Sequence, residues 1–315
     1  MSAPTSPATS PSTTRPQSGD ARTGVLAAIG TFLCWGFLPL LFRQLDAVGS
    51  VMIVAERTLW SLLLLGVILL VTRKFGEVRA LFADRRKAII MLVSAVLLGG
   101  NWLLYIWAVE TGQVIEASFG YFINPLVNVA MGMVLLGERQ NRLQTIAIAI
   151  ATFAILLQAI GMGSFPFIAL GLALSFGFYG YFRKTVMAGP VSGLFGETVL
   201  LAPAALAYVV FNIATYGWGA HADPGTMVLL MLTGPATAVP LLLFAYGVQR
   251  LRLTTIGMLQ YISPSLQFMV AVFVFHEELN GVRLVSFGLI WLSLAVFSYD
   301  SFRNRRLPVE PVPAG

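Results

Sequence analysis

Phe122-Ile123-Asn124-Pro125 is followed, thirteen residues after its proline, by Glu138 and three residues later by Asn141. The same frame returns about 139 residues downstream as Tyr261-Ile262-Ser263-Pro264, then Glu277, then Asn280. Upstream, Trp107-Ala108-Val109 meets Tyr246-Gly247-Val248. At a shift of 140–141, Phe42-Arg43 meets Phe182-Arg183 and Glu56 meets Glu197. The order of matches holds along both halves, so the chain reads as an internal duplication.

Each copy of the motif sits in an apolar run. Over the 315 residues, 57% are hydrophobic, 11% are charged and the mean hydropathy is +0.81. A water-soluble domain carries roughly 25% charged residues. A membrane helix needs roughly 20 apolar residues to cross a hydrocarbon core about 30 Å thick. Apolar runs fall near 23–42, 50–72, 88–109, 114–136 and 142–160, then near 165–182, 191–213, 226–248, 254–275 and 282–301. The expectation is an all-α integral membrane protein of ten transmembrane helices, with only short loops between them. Residues 1–22, rich in Pro, Ser, Thr and Ala, read as a disordered cytoplasmic tail, and 302–315 as a second one. The N-terminal tail lacks a cationic region followed by an apolar core, so no cleavable signal peptide is expected.

Charge sets the orientation. With the N-terminus inside, the inner segments hold 17 of the 20 basic residues, including Arg73, Lys74, Arg85, Arg86, Lys87, Arg183, Lys184, Arg250 and Arg252. The outer side holds only Arg43 and Arg283, and Arg57 lies within a span. That bias follows the positive-inside rule and places both termini in the cytoplasm. The net charge of +6 is thereby read as topology and not as a nucleic-acid surface. The lone Cys34 excludes a disulfide within the chain.

Five spans per half is an odd number, so the second half (165–301) enters the membrane opposite to the first (23–160). Two inverted five-helix repeats recur in secondary transporters, where solute binds near midplane between the repeats. Pro125 and Pro264 interrupt corresponding spans near the bilayer centre and are the expected helix breaks. Around them lie Tyr121, Asn124, Asn128, Gln260, Tyr261 and Gln267, with Asn101 and Tyr105 on the neighbouring run 88–109. Amides facing lipid are costly, so these residues should face the interior, either bonding between helices or touching solute. Glu56, Arg57 and Glu197 lie about 9 Å into their spans at 1.5 Å per residue, as candidates for attracting charge or coupling protons. Static pairing with Arg57, Arg43 or Arg183 is the competing reading. Glu138 and Glu277 end their spans, and Asn141 and Asn280 fit helix N-caps.

The chemistry of other classes is missing. No Gly-x-x-x-x-Gly-Lys-Ser/Thr loop, Gly-x-Ser-x-Gly elbow or His-Glu-x-x-His pair occurs. His221 is expected in an outer loop and His276 at a span end, which with one cysteine leaves no metal site. No cofactor and no catalytic residue is expected.

Asn101 to Val109, Glu116 to Asn128, Gly137-Glu138-Arg139, Glu197-Thr198, Arg250-Leu251-Arg252-Leu253 and Gln260-Tyr261-Ile262 closely resemble the RarD branch of the EamA family. The resemblance spans roughly residues 22 to 306. It implies the drug/metabolite transporter superfamily: two inverted five-helix repeats around a central cavity, in the bacterial cytoplasmic (inner) membrane. RarD members are commonly labelled by chloramphenicol sensitivity, and other EamA proteins export amino acids and related metabolites. RarD-like chains tend to have His-Arg where this one has Glu56-Arg57, so Arg57 and Glu197 follow the pattern and Glu56 departs from it. The expected function is export of a small metabolite or drug-like solute, amino-acid-related or phenicol-type, by alternating access with protons as a candidate coupling ion. The expected partners are that solute, the lipid bilayer and, at most, a second copy, as monomer or homodimer. A non-transporting membrane scaffold or sensor, and then an integral-membrane enzyme, are the alternatives.

Overall fold

Long runs of Leu, Ile, Val, Ala and Phe with few charges have one way to satisfy their backbone groups without water, and that is the helix. The computed structural model describes residues 18–110, 114–160, 167–186, 188–274 and 281–303, and these are helical almost throughout. The helices are α1 (Ser18–Phe42), α2 (Ser50–Thr72), α3 (Phe75–Ala83), α4 (Arg85–Glu110), α5 (Val114–Leu135) and α6 (Arg142–Ile160). They continue as α7 (Phe167–Thr185), α8 (Pro190–Tyr216), α9 (Pro224–Arg250), α10 (Leu253–Gln260), α11 (Ile262–Phe273) and α12 (Gly281–Arg303). Short 3-10 turns at Arg43–Val48 and Gly219–Ala222 lead into α2 and α9.

Five of the helical segments are long and apolar enough to cross a membrane: Asp20–Leu45, Ser50–Thr72, Arg85–Tyr105, Pro190–Tyr216 and Pro224–Arg250. Gly120–Leu135, Arg142–Leu157 and Leu284–Asp300 are shorter apolar segments. Large apolar side chains stand exposed around the outside, among them Val71, Val134, Ile160 and Phe211. So much exposed apolar surface suits lipid and not water.

Three boundaries differ from the sequence expectation. Ser18–Arg22, expected in the tail, begin α1, with Asp20 in the first turn, where the helix dipole favours an acid. The rest of that tail, the stretch 304–315, and His276, Glu277 and Asn280 lie outside the described residues. The cationic inner segment holds α3, whose Val78 and Leu81 are buried. The Ser192 hydroxyl of α8 donates to Glu77 of α3 and, ahead of Lys74, holds that carboxyl below its ordinary range. The expected breaks also part company. α5 runs through Pro125 without interruption, whereas the ninth apolar run divides at Tyr261, three residues before Pro264. A proline removes one bond and crowds the preceding turn. α5 stays helical through that loss, packed between α7 and α10.

Packing pairs α1 with α9 and α11, α2 with α8 and α9, α4 with α7 and α8, α5 with α7 and α10, and α6 with α12. One apolar core joins Phe32, Leu65, Leu98, Phe176, Leu194, Phe244 and Ile256; a second joins Ile123, Ala151, Ala173, Met258, Tyr261 and Ile290. Small residues allow the closest crossings. A methyl on Gly257 of α10 would sit 2.4 Å from the Pro125 carbonyl oxygen, and one on Gly234 of α9 would sit 2.5 Å from Trp60.

Candidate functional site

Neighbours on a helix point about 100° apart, so Glu56 and Arg57 of α2 serve different surroundings. Glu56 is buried and accepts from Trp60 Nε1 at 2.8 Å, one turn along. Its other oxygen lies 2.8 Å from Nε2 of His221, and His221 Nδ1 lies 3.2 Å from the Trp218 carbonyl. The imidazole of His221 therefore bridges the Glu56 carboxylate and the Trp218 carbonyl.

Arg57 donates from Nε to the Thr237 hydroxyl of α9 at 2.9 Å. Its guanidinium carbon lies 4.5 Å from the Trp102 ring centroid and 5.8 Å from that of Phe42. Tyr105 and Tyr121, whose rings pair at 5.9 Å, are close enough to feel its charge.

Glu197, near the start of α8, is 3.7 Å from Arg183 Nη1, and both side chains are fully enclosed. Ser94 of α4 donates to Glu197 at 2.6 Å, and the Tyr179 hydroxyl donates at 3.5 Å. Arg183 donates from Nη2 to the Pro190 carbonyl at 3.3 Å, while Nε and Nη1 are buried with no hydrogen-bond acceptor. Glu197 thus stands near the start of α8 and the His221–Glu56 pair toward its other end, where Ala55 packs on Val209, about 18 Å along the helix from Glu197.

Between them lie the polar residues of the interior. Asn128 Nδ2 donates to Gln260 Oε1 at 2.6 Å, joining α5 to α10. The carbonyl oxygens of Asn124 and Asn128 and the hydroxyl of Tyr261 are buried without a partner. Asn101 is drawn away from this group and donates to the Leu172 carbonyl at 2.9 Å and to Ser175 at 2.8 Å on α7. Gln267 also turns aside, donating to the Trp35 carbonyl at 3.1 Å. Trp35, Phe176, Tyr179 and Phe244 form an aromatic cluster between α1, α7 and α9, with centroids 5.3–6.1 Å apart.

Past the end of α5 Glu138 accepts from the backbone N–H groups of Leu253 (2.7 Å) and Thr254 (3.0 Å) and from the Thr254 hydroxyl (2.6 Å). It therefore caps α10 from the end of α5, with Arg252 at 3.7 Å. Asn141 caps α6 through the Gln144 N–H at 2.9 Å. Among the described residues no group of three or more His, Cys, Asp or Glu is placed to hold a metal.

Sequence reasoning missed His221, Thr237, Ser94 and Tyr179 as partners of the charged residues. The repeat carried a signal for one of them: Ser94 lies on the helix that the 139-residue shift pairs with α9, which supplies Thr237 to the other half. His221 comes from a loop turn, and no periodicity announces it.

Residues 22–160 match the EamA-like transporter family. An uncharacterized transporter of Vibrio cholerae serotype O1 is 39% identical, over 91% of this chain and 96% of that protein. Protein RarD of Escherichia coli strain K12 is 41% identical, over 90% of this chain and 97% of its own. A solved crystal structure at 17% identity shares the fold, with a TM-score of 0.71 over 91% of this chain and the whole of its own. At this identity over nearly the full length, the chain belongs to the RarD branch of the EamA family of membrane transporters.

Proposed function

We propose that the chain is a secondary transporter of the bacterial inner membrane that exports a small metabolite or drug-like solute by alternating access between two inverted five-helix repeats. The observation that carries this reading is the pair of enclosed carboxylates, Glu56 and Glu197. They match under the internal repeat and lie toward opposite ends of α8 with a polar, incompletely bonded centre between them. The packing supports the repeat. Exchanging α1 with α7, α2 with α8, α4 with α9, α5 with the α10–α11 unit and α6 with α12 returns the most extensive helix pairings, although the smaller α7–α9 contact has no counterpart of that size between α1 and α4.

Each end then works as a latch. His221–Glu56 ties α2 to the turn after α8, and Arg183–Glu197 with Ser94 ties α7 and α8 to α4. Opening one end separates one set of helices while the other stays joined. Asn124, Asn128 and Tyr261 face the solute, because buried polar atoms without a partner are costly and a solute or water supplies the missing bond; Gln260, bonded to Asn128, and the Tyr105–Tyr121 pair complete the surface offered to it. Proton coupling fits the enclosed carboxylates, one of which, Glu56, lies within hydrogen-bond distance of an imidazole.

The test is counterflow in liposomes with amino acids, aromatic monocarboxylates, phenicols, nucleosides and organic cations as the panel. At least one class should accumulate in protein-containing liposomes above empty ones, and Asn128→Ala should abolish it. No accumulation by any class, together with no ligand-induced rise in thermal stability, would replace the transporter with a scaffold.

A further inference from the structure

Three carboxylates of the site each have a basic partner of their own: Glu56 has His221 at 2.8 Å, Glu197 has Arg183 at 3.7 Å and Glu138 has Arg252 at 3.7 Å. Among the described residues Arg57 faces no carboxylate. Its Nε is engaged by Thr237, and its terminal amino groups have no protein acceptor and are not sealed off. A charge at membrane depth is costly and is normally paired. The faces of Trp102 and Phe42 ease that cost without supplying a counter-charge. What is missing is an anion.

The geometry restricts which one. Two free amino groups in one plane form the fork that takes both oxygens of a carboxylate. A single cation balances a single negative charge, so a phosphate dianion would enter with charge to spare. Glu56 and Glu197 are occupied by their own partners, so no nearby acid is left to receive a ligand ammonium. The walls are flat and apolar: Trp102, Phe42 and the Tyr105–Tyr121 pair.

We propose that Arg57, held by Thr237 against Trp102, binds an organic monocarboxylate with a flat apolar body and selects it over both neutral and zwitterionic analogues. The proposal rests on the transporter reading only for the step of carrying that solute across; binding itself does not depend on it.

The test titrates the purified full-length protein with phenylacetate, phenylacetamide and phenylalanine, reading the thermal-unfolding midpoint and heats of binding. Phenylacetate should bind at least about tenfold more tightly than its neutral amide or its amino-acid counterpart. Arg57→Gln should remove that preference, Arg57→Lys should keep part of it, and Thr237→Val should weaken it while leaving the charge in place. The comparison among ligands on the unaltered protein decides the matter even if Arg57→Gln fails to fold. Equal binding of acid and amide, equal binding of phenylalanine, or no binding of phenylacetate overturns the proposal. Binding without uptake into liposomes upholds the site and sinks the transporter. Uptake of another solute with no carboxylate preference does the reverse.

Discussion

Arg183 is a fully enclosed guanidinium pressed against a glycine. A methyl at Gly193 would stand 2.0 Å from Nη1 and 3.0 Å from the guanidinium carbon, and the head group has little room to yield because its surroundings are packed. Gly193→Ala should therefore push Arg183 off Glu197 and leave two buried charges poorly matched. Breaking a buried pair commonly costs about 3–5 kcal/mol, whereas replacing both partners with apolar residues is often close to neutral. Thermal unfolding in detergent should show a large loss for Gly193→Ala and for Arg183→Met, and much of it should return in Arg183→Met/Glu197→Met. A Gly193→Ala protein as stable as the parent would mean that the pair contributes nothing to holding α7 on α8. At this scale the sequence was partly legible. Glu197 could be singled out because a charge inside an apolar run is conspicuous, whereas Arg183, just past the end of its run, was only one of three cations offered as a static partner. The His221–Glu56 contact depends on how a 3-10 turn folds back over α2, which no spacing along the chain encodes.

The elements are joined mainly by side chains that complete one another's backbone. Glu138, at the end of α5, accepts from two N–H groups at the start of α10 and from the Thr254 hydroxyl, so its loss leaves several donors of a helix N-terminus without an acceptor. Replacing a good N-cap costs about 0.5–2 kcal/mol, and bonds to a charged acceptor lie at the upper end or beyond. Glu138→Ala should loosen the first turn of α10, read as faster amide exchange at Leu253 and Thr254, while α6 and its Asn141 cap remain protected. Unchanged exchange at those two amides would show that the cap is dispensable. The apolar runs announced most elements because helix is the one local answer for such segments in lipid. Two features escaped. α3 hides its Val78 and Leu81 among Arg and Lys, so its charge suggests a loop while its spacing carries a small buried face. The division at Tyr261 follows from Pro264, yet Pro125 leaves α5 whole. The same residue type gives two outcomes, so the proline alone does not decide whether the helix divides.

At the scale of the molecule, the proposed mechanism depends on parity. Between Arg86, exposed at the start of α4, and Ala222, exposed in the turn after α8, the chain passes through α4, α5, α6, α7 and α8. If each of these crosses the membrane, the two residues lie on opposite faces, and the second repeat must enter inverted relative to the first. The excess of cations on the Arg86 side assigns that face to the cytoplasm. Cys34 is the chain's single cysteine, so a Cys34→Ser background carrying either Arg86→Cys or Ala222→Cys offers one thiol at a time. A membrane-impermeant maleimide should label Ala222→Cys in right-side-out vesicles and Arg86→Cys only in inverted ones. Labelling of both from the same side would mean that one of the five helices lies within a leaflet. The halves would then be parallel, and the exchange symmetry of the helix pairings would lose its link to alternating access. Labelling from opposite sides would put Glu56 and Glu197 at opposite membrane faces. That is the arrangement in which releasing one latch while keeping the other moves a solute across.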